Sequence, residues 1–259
     1  MNKQEITMKK LLNSVALLLI LSVACLLFAR CDYHPEYQAY THYITNVYIA
    51  DSVECKSSEG ISLSKDVKMG RDVDYTLRVF SCVFYEKIDR ESNGYDPYHG
   101  DLVTRPNHAR IAFLKSIGDN GYKGRHIQPG GGSALWSPIS NISIQCSKAI
   151  NERYPAGSEL SSIFLVSFTD NYSYIKGGYK GQDAGFGYLF ANDGESFLKN
   201  LAPGPRFLFY IIEAPSAIAG ETVEFTLEVT FRNGTVVKDK FAVAMPSLEV
   251  IKNPQPLGR

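Results

Sequence analysis

A mainly β fold, with two sheets packed as a sandwich, is what the sequence predicts. Three observations carry that expectation: apolar residues recur at intervals of two in several short runs, no long amphipathic helical stripe occurs, and no strand–helix–strand rhythm would build a parallel sheet. At 44% hydrophobic and 12% aromatic residues, the 259-residue chain has enough apolar side chains to fill such a core, which argues against wholesale disorder.

Taken in order, Tyr43–Ile49 combines β-branched and aromatic residues and reads as the first strand. Asp74–Tyr85, with Tyr75, Leu77, Val79 and Val83 among polar residues, reads as the second. Glu86–Arg110 is polar and punctuated by Asn93-Gly94, Asp96-Pro97 and Arg105-Pro106, so it reads as a loop. The short apolar run Ile111–Leu114 is expected to be a strand, and Gly118–Gly132, closing on Pro129 and three glycines, a second loop. After Trp136, Ile139, Ile142 and Ile144 lead into a strand through Cys146. Pro155-Ala156-Gly157 makes a turn, and Ser158 is expected to cap a short helix reaching Phe164. Gly177–Gly187 reads as a surface loop, and Arg206–Glu213 alternates Phe207, Phe209 and Ile211 on one face. The clearest signal comes last. Val223, Phe225, Leu227, Val229 and Phe231 alternate with Glu224, Thr226, Glu228 and Thr230, Asn233-Gly234 permits a tight reversal, and Val237, Phe241, Val243 and Met245 mark the returning strand. The layout predicts an immunoglobulin-like or fibronectin-like β-sandwich over residues 42–250 with long loop insertions, and a tail at 251–259. The chain beyond Pro246 is expected to add little to the core.

Ahead of the domain, Lys9-Lys10 precede a 19-residue apolar run, Leu11–Ala29, the form of a secretion signal. The run is also just long enough to span a bilayer, so a retained signal anchor is the rival reading. The passage from Leu27-Phe28-Ala29-Arg30 into Cys31-Asp32-Tyr33-His34 resembles a bacterial lipoprotein signal, in which the cysteine becomes the acylated first residue. Cys31 is favoured because it stands where the apolar run ends; Cys25 follows a better small neighbour, Ala24, but lies inside the run. On this reading residues 1–30 are the signal segment and 31–41 a polar tether. The whole layout, with its Pro155–Leu160 segment and terminal hairpin, is similar to that of lipoproteins of Bacteroidetes-type bacteria that carry a β-sandwich domain. That resemblance spans most of residues 8–246 and implies a lipid-anchored protein of the bacterial cell envelope, at the outer membrane. It assigns no catalytic residue.

Charge and motifs narrow the chemistry. Removing Lys3, Lys9, Lys10, Arg30 and Glu5 with the first 30 residues leaves 23 basic and 26 acidic residues, a net charge of −3 that offers no basic footprint for nucleic acid. Cys55, Cys82 and Cys146 remain beyond Cys31, an odd number without a CxxC; one disulfide with one buried thiol, or three small core side chains, would each fit. Asp89, Glu91, Asn93 and Asp96 alternate like a calcium loop, yet Gly100 stands where the closing glutamate belongs, so the stretch reads as solvated. His99 and His108, with Asp96 and Asp101 nearby, lack HExxH spacing. Neither a GxSxG elbow nor a GxGxxG turn occurs, and no metal or cofactor is expected. Asp51-Ser52-Val53 resembles a minimal bacterial O-glycosylation motif. The aromatic stretch Tyr172, Tyr174, Tyr179 and Tyr188, interspersed with glycine and lysine, is the expected ligand-binding surface, because rings can pack on sugar or peptide faces. The expected function is a noncatalytic, membrane-tethered binding or surface-assembly protein for a glycan or protein, with an extracytoplasmic hydrolase or a structural envelope protein as the alternatives.

Overall fold

The computed structural model describes residues 42–58, 60, 62, 63, 73, 75–85, 108–122, 132–180 and 184–254. All of them fall in one compact unit formed by Tyr40–Gly124 and Gln128–Arg259. The expected signal segment and tether, with Cys25 and Cys31, and the Asp89–Asp96 stretch, His99 and Asp101 lie outside the described residues.

The fold is mainly β. Strands β1 (Ile44–Tyr48) and β4 (Gly132–Leu135) form a parallel pair. Strands β2 (Ser52–Ser57), β3 (Leu77–Tyr85), β6 (Phe164–Asp170), β7 (Phe186–Phe190) and β8 (Pro203–Ile211) build an antiparallel sheet in the order β2-β3-β8-β6-β7. Strands β5 (Ile139–Cys146), β9 (Thr222–Phe231) and β10 (Val236–Ala244) build a second in the order β10-β9-β5.

Alternation fixes which side of each strand faces inward. On β9, Val223, Phe225, Leu227, Val229 and Phe231 are buried, and on the wet side Glu224 pairs with Lys240 at 2.6 Å and Glu228 with Lys238 at 3.5 Å. The expected hairpin therefore forms, and Gly234 supplies a φ of 87° at its turn. The two inner faces meet through phenylalanine. Phe80 stacks on Phe209 (4.5 Å between centroids) within its own sheet and approaches Phe225 (5.8 Å) and Phe241 (4.9 Å) of the other. Farther along, Phe84 touches Phe207 at 5.2 Å and Phe231 at 5.7 Å. These offset and edge-on contacts add to the free energy of burying the rings. Cys55, Cys82 and Cys146 are all reduced and buried, as three small core side chains.

Four local expectations are corrected. Ile111–Leu114 belongs to helix α1 (His108–Ser116), not to a strand. A four-residue apolar run does not reveal its period, and its Ala112 and Leu114 suit a helix, with Leu114 and then Ile117 buried. Ser158 caps no helix; only a 3-10 turn, Ser161–Ile163, precedes β6. The run Phe164-Leu165-Val166 is buried on both faces of a central strand, which overrides the capping signal. Instead Glu159 binds the junction, its carboxylate accepting from Ile144 N at 3.0 Å and Ser161 N at 2.9 Å. The end of the expected 177–187 loop, Phe186-Gly187, opens β7. Finally, the chain beyond Pro246 does enter the core: a short helix at Leu248–Lys252, capped by Ser247, leaves Ile251 0% exposed. Replacing Ile251 by Ala is accordingly expected to lower unfolding free energy by about 2–5 kcal/mol in urea titration, whereas an inert tail would show no change.

Candidate functional site

The aromatic residues singled out in the sequence do not form one surface. Tyr174 and Tyr179 join Tyr43 and Tyr122 in an edge-on cluster, with centroids 4.7 Å apart for Tyr43–Tyr174, 5.5 Å for Tyr43–Tyr122, 5.3 Å for Tyr122–Tyr179 and 5.9 Å for Tyr174–Tyr179. Tyr174 is buried there and Tyr179 half-buried. Tyr172, on the short helix α2 (Asn171–Lys176), is half-buried with Lys176 Nζ 5.4 Å from its ring centre. Tyr188 lies elsewhere: on β7 opposite Ser167, it packs with Leu165, Phe190 and Tyr210.

A buried carboxylate organises the tyrosine cluster. Asp119, in the turn after α1, is 0% exposed. Its Oδ1 accepts from Tyr43 N (2.8 Å) and Tyr179 Oη (3.0 Å), and its Oδ2 from Ile44 N (2.8 Å). His42 Nδ1 meets the carbonyl of the same residue. A charged acceptor thus satisfies the first amides of β1, and such charge-assisted bonds are stronger than neutral ones. Tyr179 reaches it from a left-handed backbone, φ 59°, a conformation that non-glycine residues adopt only when surroundings over-determine them. Burial, then the neighbouring Asp119 charge, pushes the Tyr179 hydroxyl up to about 12. Space is as tight as charge: a Cβ on Gly132 would come within 2.5 Å of the Tyr43 ring, so β4 can lie beside β1 only with glycine there. Asn171, fully buried, donates from Nδ2 to Ser133 O at 2.7 Å and Ala202 O at 3.1 Å, tying α2 to β4 and to the start of β8.

The other end of the β1–β4 pair carries a different arrangement. Trp136 donates its backbone N–H to Tyr48 O at 2.8 Å, and its ring stacks on Phe113 of α1 at 5.1 Å and 19°. Tyr48, Ile49, Trp136 and Phe231, with Asn233 and Thr235 of the β9–β10 turn, line a shallow surface depression that encloses room for about one water molecule. Trp136 and Tyr48 are half-buried and Ile49 is 48% exposed, so apolar surface here faces solvent. Trp136 is not among the binding residues that the sequence singles out. The chain's only tryptophan, followed by Ser137-Pro138, was the available signal.

Among the described residues, no three His, Cys, Asp or Glu side chains gather as a metal site requires, and no helix is long and apolar enough to cross a membrane. Ser52 of the glycosylation-like triplet is exposed where β2 begins. No protein-family model matches the sequence, and neither a curated protein nor a solved structure matches it.

The Tyr179 hydroxyl gives a pH prediction. Its folded pKa lies above the ordinary tyrosine value, so the folded state holds a proton that the unfolded state releases first. Its contribution is complete below pH 10 and declines as pH rises from about 10 to 12. Tyr179→Phe should flatten part of that alkaline decline in urea titrations at stepped pH. An unchanged slope would remove Tyr179 from the account.

Proposed function

We propose that the chain is a noncatalytic binding domain, held at the bacterial cell envelope by lipid on Cys31, that binds a glycan or protein ligand across the Tyr48–Trp136 surface. The order β2-β3-β8-β6 opposed to β10-β9-β5 supports an immunoglobulin-like version of the sandwich. It corresponds to strands A-B-E-D facing G-F-C of that fold, with β7 and the β1–β4 pair as additions. In this reading the β9–β10 turn is the F–G loop, and the depression lies beside it.

The carrying observation is the pairing of a solvent-facing aromatic wall with hydrogen-bonding groups at its rim. Trp136, its ring held in place by stacking on Phe113, gives the depression an apolar wall, and Asn233 and Thr235 add polar side chains that orient a ligand. The depression encloses room for about one water molecule, far less than sites that enclose a whole small molecule, roughly 300–1,000 Å³. A ligand therefore rests across the aromatic surface instead of entering it, with a small contact for each copy of the domain. Tethering agrees with that economy, because anchored copies act together and raise avidity without new contacts.

Two measurements test the two halves of the proposal. On arrays of envelope and host glycans, with peptide ligands in parallel, the domain should show reproducible binding that Trp136→Ala weakens at least about tenfold, the effect of losing roughly 1.4 kcal/mol, while Tyr188→Ala leaves it unchanged. Absence of binding to every array, or equal loss in both variants, would sink the assignment of this surface. Mass spectrometry of the mature N-terminus should find acyl chains on Cys31; a retained 1–30 segment or an unmodified cysteine would overturn the anchor.

A further inference from the structure

Cys55 on β2 and Cys82 on β3 stand directly opposite each other. Opposed residues of an antiparallel ladder alternate between hydrogen-bonded pairs and narrower non-hydrogen-bonded ones. Two bonds identify this pair as narrow. Ser58 N–H donates to Val79 O at 3.0 Å, so Ser58 and Val79 are a hydrogen-bonded pair, and an odd step of three residues leads back to Cys55 and Cys82. In agreement, Cys55 N–H points away from β3 and donates to Asp239 Oδ2 on β10 at 2.8 Å. Narrow pairs hold their Cα atoms about 4.5 Å apart, within the roughly 4.4–6.8 Å that a disulfide spans. Both side chains point into the core, with Cys82 1% and Cys55 8% exposed. Cys146, the third buried thiol, is opposite Phe225 in the other sheet.

We propose that Cys55 and Cys82 are a redox pair that closes to a cross-strand disulfide under a disulfide-bearing oxidant, fastening edge strand β2 to β3. In the reduced fold, the Cys82 thiol, then burial, then the Asp239 charge push the Cys55 thiol far above its ordinary range. Reaction therefore begins when β2 opens. That is a local event, since β2 has a ladder partner on one side only. The exposed Cys55 loses its proton and attacks the oxidant's disulfide, forming a mixed disulfide and expelling one oxidant thiolate. As β2 closes, Cys82 loses its proton, attacks Cys55 Sγ and expels the second. Two protein thiols lose two electrons and two protons, and the oxidant's disulfide becomes two thiols. The bond closes a loop over residues 56–81, so it removes conformational freedom from the unfolded chain.

The test uses the full chain, reduced and then held in oxidised glutathione, alkylated and digested with Glu-C. Cleavage at Glu54 and Glu59 isolates Cys55 on a short peptide. The expected product is that peptide joined to the one bearing Cys82, two hydrogens lighter than their sum, with the joined species absent in Cys55→Ser and retained in Cys146→Ser. The oxidised chain should also melt about 5–10 °C higher than the reduced one. Alkylation of both Cys55 and Cys82 after oxidation, glutathione retained on either, or linkage to Cys25, Cys31 or Cys146 instead would overturn the pairing. An unchanged melting temperature in the cross-linked protein would overturn the fastening. Mapping of the unsubstituted chain decides the pairing even if a serine variant fails to fold.

Discussion

Contact between the two sheets passes through the ring of Phe80, which faces Phe209 and Phe164 of its own sheet and Phe225 and Phe241 of the other. Phe80 is 0% exposed, and each ring that meets it is set by the two-residue period of its own strand. A slip of one residue on β3 would turn Phe80, Cys82 and Phe84 to the opposite face at once. Register in the large sheet and the distance between sheets are therefore one constraint. The phenylalanines resist truncation because close-packed interiors relax only partly around a void.

The β1–β4 pair is held by different physics. It buries few large side chains, and a charge stabilises it: Asp119 accepts the Tyr43 and Ile44 amides at the head of β1, and Tyr43 fills the space left open at Gly132. A buried carboxylate is costly unless its oxygens are hydrogen-bonded, and these are. The arrangement turns one end of the pair into a closed tyrosine cluster and leaves Tyr48 and Trp136 at the other end facing outward. In the proposed binding role, such an arrangement is favourable, since rings already fixed in place lose little freedom when a ligand packs on them.

Legibility in the sequence followed the reach of each interaction. The β9–β10 hairpin was readable because its alternation and its Asn233-Gly234 turn are local. The β character of β1, β3, β5 and β8 was readable for the same reason. The start of β6 was hidden because Ser158 looks like a helix-start signal, whereas the neighbouring Glu159 holds one amide close in the chain, Ser161, and one on β5, Ile144. Ile111–Leu114 was too short to show a period. Among the binding candidates, Tyr172, Tyr174 and Tyr179 were recognised as a group because they are close in the chain, but Tyr188 is drawn to another cluster by β7. Tyr43, Tyr122 and Asp119 were invisible as their partners, since Asp119 stands 60 residues from Tyr179 and 76 from Tyr43, and such separations leave no local pattern.

The bond from Cys55 N–H to Asp239 Oδ2 has a consequence beyond its two strands. β2 and β10 are the facing edges of two open sheets, where backbone amides would ordinarily continue a ladder. A carboxylate at this edge accepts the amide but offers no donor in return, so it occupies the position without extending the sheet. The seam is sealed by a side chain where a barrel would seal it with backbone, and an amide that could recruit a neighbouring molecule's strand is already engaged.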